Sequence, residues 1–265
     1  MDLNIILEKS LQLIKETGHF IQEEAAKFTQ ASIEYKGKND LVSYVDKEAE
    51  KKLVAGLSDI LPESGFITEE GTASKGRSDK CNWVIDPVDG TTNFVHGIPF
   101  YCISVGLMDA DEVIMGIIYE PSRDEMFYTI KGGKALLNGE EIRVSPVGKL
   151  SESLLASGFP YSKLHSTAAY IQVVEELMPK THGLRRMGSA AIDLAYVACG
   201  RFEGFFEYNL KPWDVAAGAF LVQQAGGKVT TFKSTSDYIF GGELVAACGI
   251  QPQLREIIQM HWYSA

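Results

Sequence analysis

The run Trp83-Val84-Ile85-Asp86-Pro87-Val88-Asp89-Gly90-Thr91-Thr92-Asn93-Phe94 constrains this chain more tightly than any other stretch. Trp83 to Ile85 read as the end of a buried strand. Asp86 and Asp89 follow with Pro87 between them, and Gly90 opens a predicted short helix from Thr91 to Val95. Two carboxylates therefore stand at the mouth of a strand, beside a helix N-terminus. Such a terminus favours a phosphate. The two carboxylates would repel that phosphate unless divalent cations lay between them. The order carboxylate, metal, phosphate, helix predicts a metal-dependent phosphoryl site.

Bulk properties narrow the remaining classes. The 265 residues, 45% of them apolar, suffice for one large domain or two intimate halves. No apolar run approaches the roughly eighteen residues of a membrane span, so no membrane association is expected. Met1-Asp2-Leu3-Asn4 lacks the basic and apolar regions of a secretory signal, which predicts a cytoplasmic protein. The net charge of −10 argues against direct nucleic-acid or membrane-surface binding. Cys81, Cys102, Cys199 and Cys248 form no CxxC and read as buried, reduced thiols. His96 has no second His or Cys at ligand spacing, so zinc is not expected.

Periodicity predicts a helix with Leu7, Leu11, Ile14, Gly18, Ile21 and Ala25 on one face. A second follows over about 46–60, with Ala49, Leu53, Leu57 and Ile60 inward and Glu48 paired with Lys52. Pro62 ends it. Strands are predicted at 65–68, 82–86, 102–109, 112–119, 125–130 and 134–144, the last folded at Asn138-Gly139. The Ser- and Gly-rich segment Gly71 to Lys80 reads as a mobile edge. After Pro146, strands near 153–157, 182–186, 202–207, 228–231 and 243–248 alternate with helices near 165–178, 189–199 and 212–225, and a last helix starts near Gln251. The fold class is α+β. Residues 1–147 form a helix pair on a mostly antiparallel sheet, and 148–265 a smaller α/β half completing one compact unit.

Asp86-Pro87-Val88-Asp89-Gly90-Thr91-Thr92-Asn93-Phe94 resembles the metal-binding signature of the inositol monophosphatase family. Further segments resemble that family in order: Gly37 to Asp46, Phe66-Ile67-Thr68-Glu69-Glu70-Gly71, Gly188-Ser189-Ala190-Ala191, Phe205-Phe206-Glu207, and Trp213-Asp214-Val215-Ala216-Ala217-Gly218 with Gly226-Gly227. The likeness runs from about Lys36 to Val245. It implies a layered α-β-α-β-α sandwich of the inositol monophosphatase / fructose bisphosphatase type. It also implies an Mg²⁺-dependent, lithium-sensitive phosphomonoesterase with two or three Mg²⁺ per site. Inositol 1-phosphate is the leading substrate; NADP 2′-phosphatase or fructose 1,6-bisphosphatase activity, or both, is the alternative. A regulatory binding protein with residual phosphatase activity is a further alternative, since some bacterial members associate with transcription machinery.

The same resemblance implies roles for single residues. Glu69, Asp86 and the Val88 carbonyl would hold one metal; Asp86, Asp89 and Asp214 a second; Glu69 a weaker third. Taken alone, Asp214 at a helix start after Lys211-Pro212-Trp213 could simply cap that helix. Asp86-Pro87 alone could be an ordinary turn. Four converging carboxylates would not all stay ionised without counter-ions. Thr91 would orient the attacking water, hydrogen-bonded to Asp46, with Glu70 holding further waters. Gly90 and Thr91 would cradle the phosphate by their N–H groups. Ala190, Glu207 and Asp214 would meet the polyol. Arg185 and Arg186 read first as surface residues, second as partners of another anion. The compact Gly37-Lys38-Asn39 and the variable Ser157 to Tyr161 segment depart from the family pattern and leave substrate choice open. A homodimer is implied, with Arg185, Arg186 and the Gly188 to Ala195 helix offering a mixed apolar and basic surface.

Overall fold

The computed structural model describes residues 1–27, 33–37, 40–159 and 167–263, with side chains for all of these but 33–42. Lys38, Asn39, Pro160, Tyr161 and the predicted start of a helix at 165 lie outside the described residues. The chain folds into five layers. Helices α1 (Leu3–Ala25) and α2 (Tyr44–Ile60) cover one face of a large sheet. Between them a hairpin forms, β1 (Ile33–Gly37) and β2 (Asp40–Ser43), which the apolar pattern did not predict.

The large sheet holds β3 (Gly65–Thr68), β4 (Cys81–Asp89), β5 (Cys102–Asp109), β6 (Glu112–Glu120), β7 (Glu125–Ile130), β8 (Leu136–Leu137) and β9 (Glu140–Glu141), in that spatial order. Only β3 and β4 run parallel. Asn138, in the left-handed region, and Gly139 make the predicted hairpin, although only two residues pair on each side. A five-stranded sheet, in the order β11-β10-β12-β14-β13, is built from β10 (Leu154–Ser157), β11 (Gly183–Arg185), β12 (Gly204–Tyr208), β13 (Lys228–Thr230) and β14 (Glu243–Ala247). Helices α5 (Ala190–Ala198) and α6 (Pro212–Gln224) lie between the sheets, while α4 (Thr167–Leu177) and α7 (Gln251–Trp262) close the far side. The short α3 (Thr91–Val95) follows β4.

Alternation along β5 shows how the layers are made. Ile103, Val105 and Leu107 join the core under α1 and α2 with Ile14, Ile21, Leu53 and Leu57. Each such fully buried side chain contributes about 1.5–3 kcal/mol of transfer free energy. Cys102 points the other way, into the core around α5 and α6. Gly106 pairs with Gly116 across β5 and β6. A Cβ on Gly116 would lie 2.7 Å from the Ala217 carbonyl oxygen, and one on Gly106 3.2 Å from the Ala216 Cβ. The bare backbone at this pair lets α6 settle directly on the sheet.

The structure corrects several sequence expectations. The innermost row of α1 is Ile6, Ser10, Ile14, Thr17, Gly18 and Ile21, leaving Leu7, Leu11 and Ala25 at its flank. Thr17 tolerates burial because its hydroxyl donates to the Leu13 carbonyl at 2.9 Å. Ile60 is only half-buried. Glu48 pairs with Lys51 at 2.7 Å, not with Lys52, whose ammonium sits over the Phe20 ring at 4.8 Å. The thiols are free, as expected, with Cys102 and Cys248 buried and Cys81 and Cys199 half-buried. Every residue of α5 is buried, so its Ala190 to Ala195 part offers no surface for a second subunit, while Arg185 and Arg186 before it are exposed. The physical reason is that an apolar helix with no polar face belongs between layers. Among the described residues, no helix is long and apolar enough to cross a membrane.

Candidate active site

Asp86 and Asp89 are three steps apart, and in a regular strand an odd separation puts side chains on opposite faces. The structure removes that conflict with a bulge. Asp86 pairs with Ser104 and Asp89 with Cys102, so three steps on β4 answer two on β5. The extra residue restores parity and turns both carboxylates to one face. Pro87 sits inside the bulge, where no ladder N–H is demanded of it. The strand thus continues through Asp89, beyond the end predicted at residue 86. Gly90 follows with φ 101°, and a Cβ there would lie 3.0 Å from the Phe100 carbonyl oxygen. A left-handed residue against a neighbouring backbone must be glycine.

Other elements bring their acids to the same place. Parallel pairing of β3 with β4 sets Glu69, at the end of β3, beside Ile85, to whose carbonyl its N–H donates at 3.2 Å. Glu50 on α2, fully buried, accepts from the Glu70 and Thr72 N–H groups, both at 2.7 Å, and from the Thr72 hydroxyl at 2.8 Å. It pins the turn that carries Glu69 and Glu70. Nothing in the helical period distinguishes Glu50 from other polar helix residues. Its role comes from residues twenty and more positions away.

Asp214 lies in the first turn of α6 and accepts from the Lys211 N–H at 2.7 Å. It is a cap in geometry, with one carboxylate oxygen doing the capping. Asp89 is held from the second half of the chain. Its Oδ2 accepts from the Ser189 hydroxyl at 2.7 Å and the Ala191 N–H at 2.6 Å, at the N-terminus of α5. Ser189 accepts in turn from Ile192 N–H at 3.2 Å. Sequence reading assigned this segment to the substrate; the structure gives Ser189 and the Ala191 amide to Asp89.

Asp46 takes two parts. Its Oδ2 accepts from the Ser43 N–H at 2.9 Å and the Ser43 hydroxyl at 2.5 Å, forming a capping box at the start of α2. Its Oδ1 accepts from the Thr91 hydroxyl at 2.9 Å. Thr91 Oγ1 is also 3.1 Å from the Val88 carbonyl oxygen. Asp46, Thr91 and Val88 thereby form one connected chain across α2, α3 and β4.

The electrostatics are those of acids crowded together. Burial, then the charges of Glu69, Asp89 and Asp214, push Asp86 well above the usual carboxylate range. Of these charges, that of Glu69 acts most strongly on Asp86. Burial and then Asp89 raise Asp214 strongly. Burial pushes Asp89 up to about 6 against the pull of Ser189, Ala191 and Arg186. Burial lifts Asp46 as well. Among the described residues, no three His, Cys, Asp or Glu side chains close on one another tightly enough to hold an ion by themselves.

Beside these acids opens a cavity of about 170 Å³, lined among others by Asp89, Ser157, Arg186, Asp193, Glu207 and Asp214. Glu207 and Ala190 are both at its wall. Burial pushes Glu207 up to about 8, with Asp89 adding to the effect and Arg186 opposing it. Arg186, read first from sequence as a surface residue, faces this cavity, its guanidinium 5.5 Å from the centre of the Phe159 ring. Arg185 is exposed.

A stability prediction arises directly. Unfolded, Asp89 and Glu207 ionise near about pH 4. Folded and metal-free, they hold their protons to about 6 and about 8. The native state therefore binds more protons than the unfolded one between those limits, and stability falls as pH rises from about 4 to about 8. Melting in EDTA at pH 5, 6.5 and 8 is expected to give a descending Tm, with the gain on adding Mg²⁺ largest at pH 8. A Tm that rises over this range would contradict the site electrostatics.

Known proteins resemble this chain throughout its length. A sequence model described as Inositol monophosphatase family matches residues 2–262. The Inositol-1-monophosphatase of Mesorhizobium japonicum is 36% identical over 246 residues, 93% of this chain and 92% of that protein. The Nus factor SuhB of Escherichia coli is 37% identical over 241 residues, 91% of this chain and 90% of that protein. The solved structure of inositol monophosphatase from Anabaena (Nostoc) superimposes with a TM-score of 0.87 at 33% identity, covering 100% of this chain and 99% of that one.

Proposed function

This chain belongs to the inositol monophosphatase family, and from that premise we propose that it hydrolyses phosphate monoesters with Mg²⁺, inositol 1-phosphate being the leading substrate. The observation that carries the reading is the chain Asp46–Thr91–Val88 set beside four mutually repelling carboxylates. The mutual repulsion that raises Asp86 marks a place that a cation would fill more favourably. The donors are all oxygen, which suits Mg²⁺. Glu69, Asp86, the Val88 carbonyl, Asp89 and Asp214 would hold two or three such ions, the rest of each shell being water and substrate phosphate. Bound there, Mg²⁺ supplies charge neutralisation and a more acidic water.

The protein's own groups do the positioning. The Thr91 hydroxyl donates to Asp46, which leaves its lone pairs to accept a hydrogen from the attacking water. Asp46, its proton affinity raised by burial, is the end of that chain able to take a proton. Water attacks phosphorus in line as one of its protons passes toward Asp46, the bond to the polyol oxygen breaks, and that oxygen takes up a proton from solvent water. Gly90 and Thr91 N–H groups face the phosphate, Glu70 orders further waters, and Ala190 and Glu207 bound the leaving group. Thr91→Ala is expected to leave metal affinity within a few-fold and to lower kcat at saturating Mg²⁺ by about tenfold to a hundredfold, about 1.4–2.7 kcal/mol. Collapsed metal binding with normal residual turnover would reverse this assignment.

Phosphate release from inositol 1-phosphate, NADP and fructose 1,6-bisphosphate, with and without Mg²⁺, tests the function. No release from any of them with Mg²⁺ present would refute it. A homodimer, Li⁺ inhibition and a cytoplasmic place are parts of the same proposal. A second reading, association with transcription machinery, rests on the 37% identity to the protein named Nus factor SuhB.

A further inference from the structure

We propose that Asp193 is a second acid, beside Glu207, that reads hydroxyl groups of the leaving alcohol, a specificity-determining residue for the reaction proposed above. The inference rests on the phosphomonoesterase reading above and adds one residue to its leaving-group contacts. Asp193 lies on α5, a helix whose other eight residues are alanine, aliphatic or tyrosine. Its side chain is 2% exposed, and Oδ1 has no hydrogen-bond partner. Placing a carboxyl group there unpaired is unfavourable by about 1–3 kcal/mol, more if it is charged. Neither the capping of α5, done by Ser189, nor the anchoring of Asp89, done by Ser189 and Ala191, uses it.

Asp193 does have a cavity to serve, since it forms part of the wall that Glu207, Arg186 and Ala190 also line. Glu207 is set closely there, because a Cβ on Gly158 would fall 1.9–2.1 Å from its carboxyl atoms. Asp89 and Asp214 stand on the phosphate side as proposed metal ligands. Asp193 and Glu207 remain on the leaving-group side, facing Arg186. Two acceptors and one cation complement neighbouring hydroxyl donors, not a second anionic group. An alcohol with adjacent hydroxyls satisfies both acids at once; an alcohol without them leaves both buried and unpaired, and such a mismatch gives strong discrimination.

The test uses the full-length protein with Mg²⁺ and two probes, inositol 1-phosphate and p-nitrophenyl phosphate, whose leaving group bears no further hydroxyl. Asp193→Ala is expected to raise KM for inositol 1-phosphate at least tenfold with kcat within about threefold, because these contacts act equally in ground and transition states. Its kcat/KM for p-nitrophenyl phosphate should not fall, and should rise to the extent that the unpaired acid penalised that leaving group. Asp193→Asn, which keeps the shape and one acceptor oxygen, should recover most of the lost affinity. It also decides the matter if the alanine variant does not fold, by a threefold or greater rise in KM on inositol 1-phosphate alone. Equal losses on both probes would make Asp193 structural, and unchanged kinetics on inositol 1-phosphate would remove it from the site; either overturns the proposal. Wild-type protein inactive on both probes would instead refute the phosphomonoesterase reading itself.

Discussion

Stripped of divalent cations by EDTA, the protein is expected to lose phosphate release from inositol 1-phosphate by at least a thousandfold, and to regain it on adding Mg²⁺. The reason is charge. A phosphate monoester approaching Glu69, Asp86, Asp89 and Asp214 meets acids whose main influences are burial and one another. Arg186 and Lys211 are the cations that pull Asp89 and Asp214 the other way, and each is outweighed by burial. Without metal the acids hold protons, which neutralise charge but cannot activate water or stabilise the charge moving onto the leaving oxygen. A thousandfold loss is about 4 kcal/mol in the barrier. Undiminished turnover in metal-free protein would end the metal-site assignment. Mg²⁺ well above saturation is expected to slow turnover, because an ion that lingers holds the product phosphate.

Asp89→Asn and Asp214→Asn are each expected to lower kcat at least a hundredfold, about 3 kcal/mol, while the metal-free protein melts at the same temperature or higher. Both halves of that expectation come from the hydrogen bonds. Asp89 spends Oδ2 on Ser189 and Ala191, and Asp214 spends Oδ2 on the Lys211 N–H. An amide oxygen can accept those same bonds, so the cap on α6 and the anchor on α5 survive. The substitution removes one negative charge from a crowded, buried group, which relieves repulsion in the metal-free fold. The lost carboxylate charge is felt only when cations must be held against a developing phosphoryl charge. Near-native kcat in either variant would refute the ligand role; a large fall in metal-free Tm would make the residue structural first.

Legibility in the sequence divides by distance along the chain. The bulge that turns Asp86 and Asp89 to one face was not predicted, although its ingredients, Asp86-Pro87-Val88-Asp89-Gly90, are contiguous. Their spacing is odd for a strand, and odd spacing on one working face is a signal for a bulge. The Asn138-Gly139 turn and the short helix after Gly90 were legible because backbone stereochemistry acts over a few residues. Glu50 was not, since its partners are the Glu70 and Thr72 amides. Nor was the part Ser189 plays, a hundred positions from Asp89.

By itself the sequence determined the α+β class, the order of helices and strands apart from the β1–β2 hairpin, and the acidic segments that mark the family, because hydrophobic period and turn chemistry are local properties. The tertiary structure alone decided which polar residues face the cavity. α5 read as part of a docking surface and is buried between two sheets; Arg186, exposed as read, also lines the pocket; Asp193, which no sequence signal singled out, borders it. A helix period says that a residue lies on one side of its helix. What stands on that side is set by packing of elements distant in sequence, here by Gly106 and Gly116 letting α6 approach the large sheet and by Asp89 docking on the start of α5. No local pattern encodes those long-range contacts, and they form the leaving-group wall.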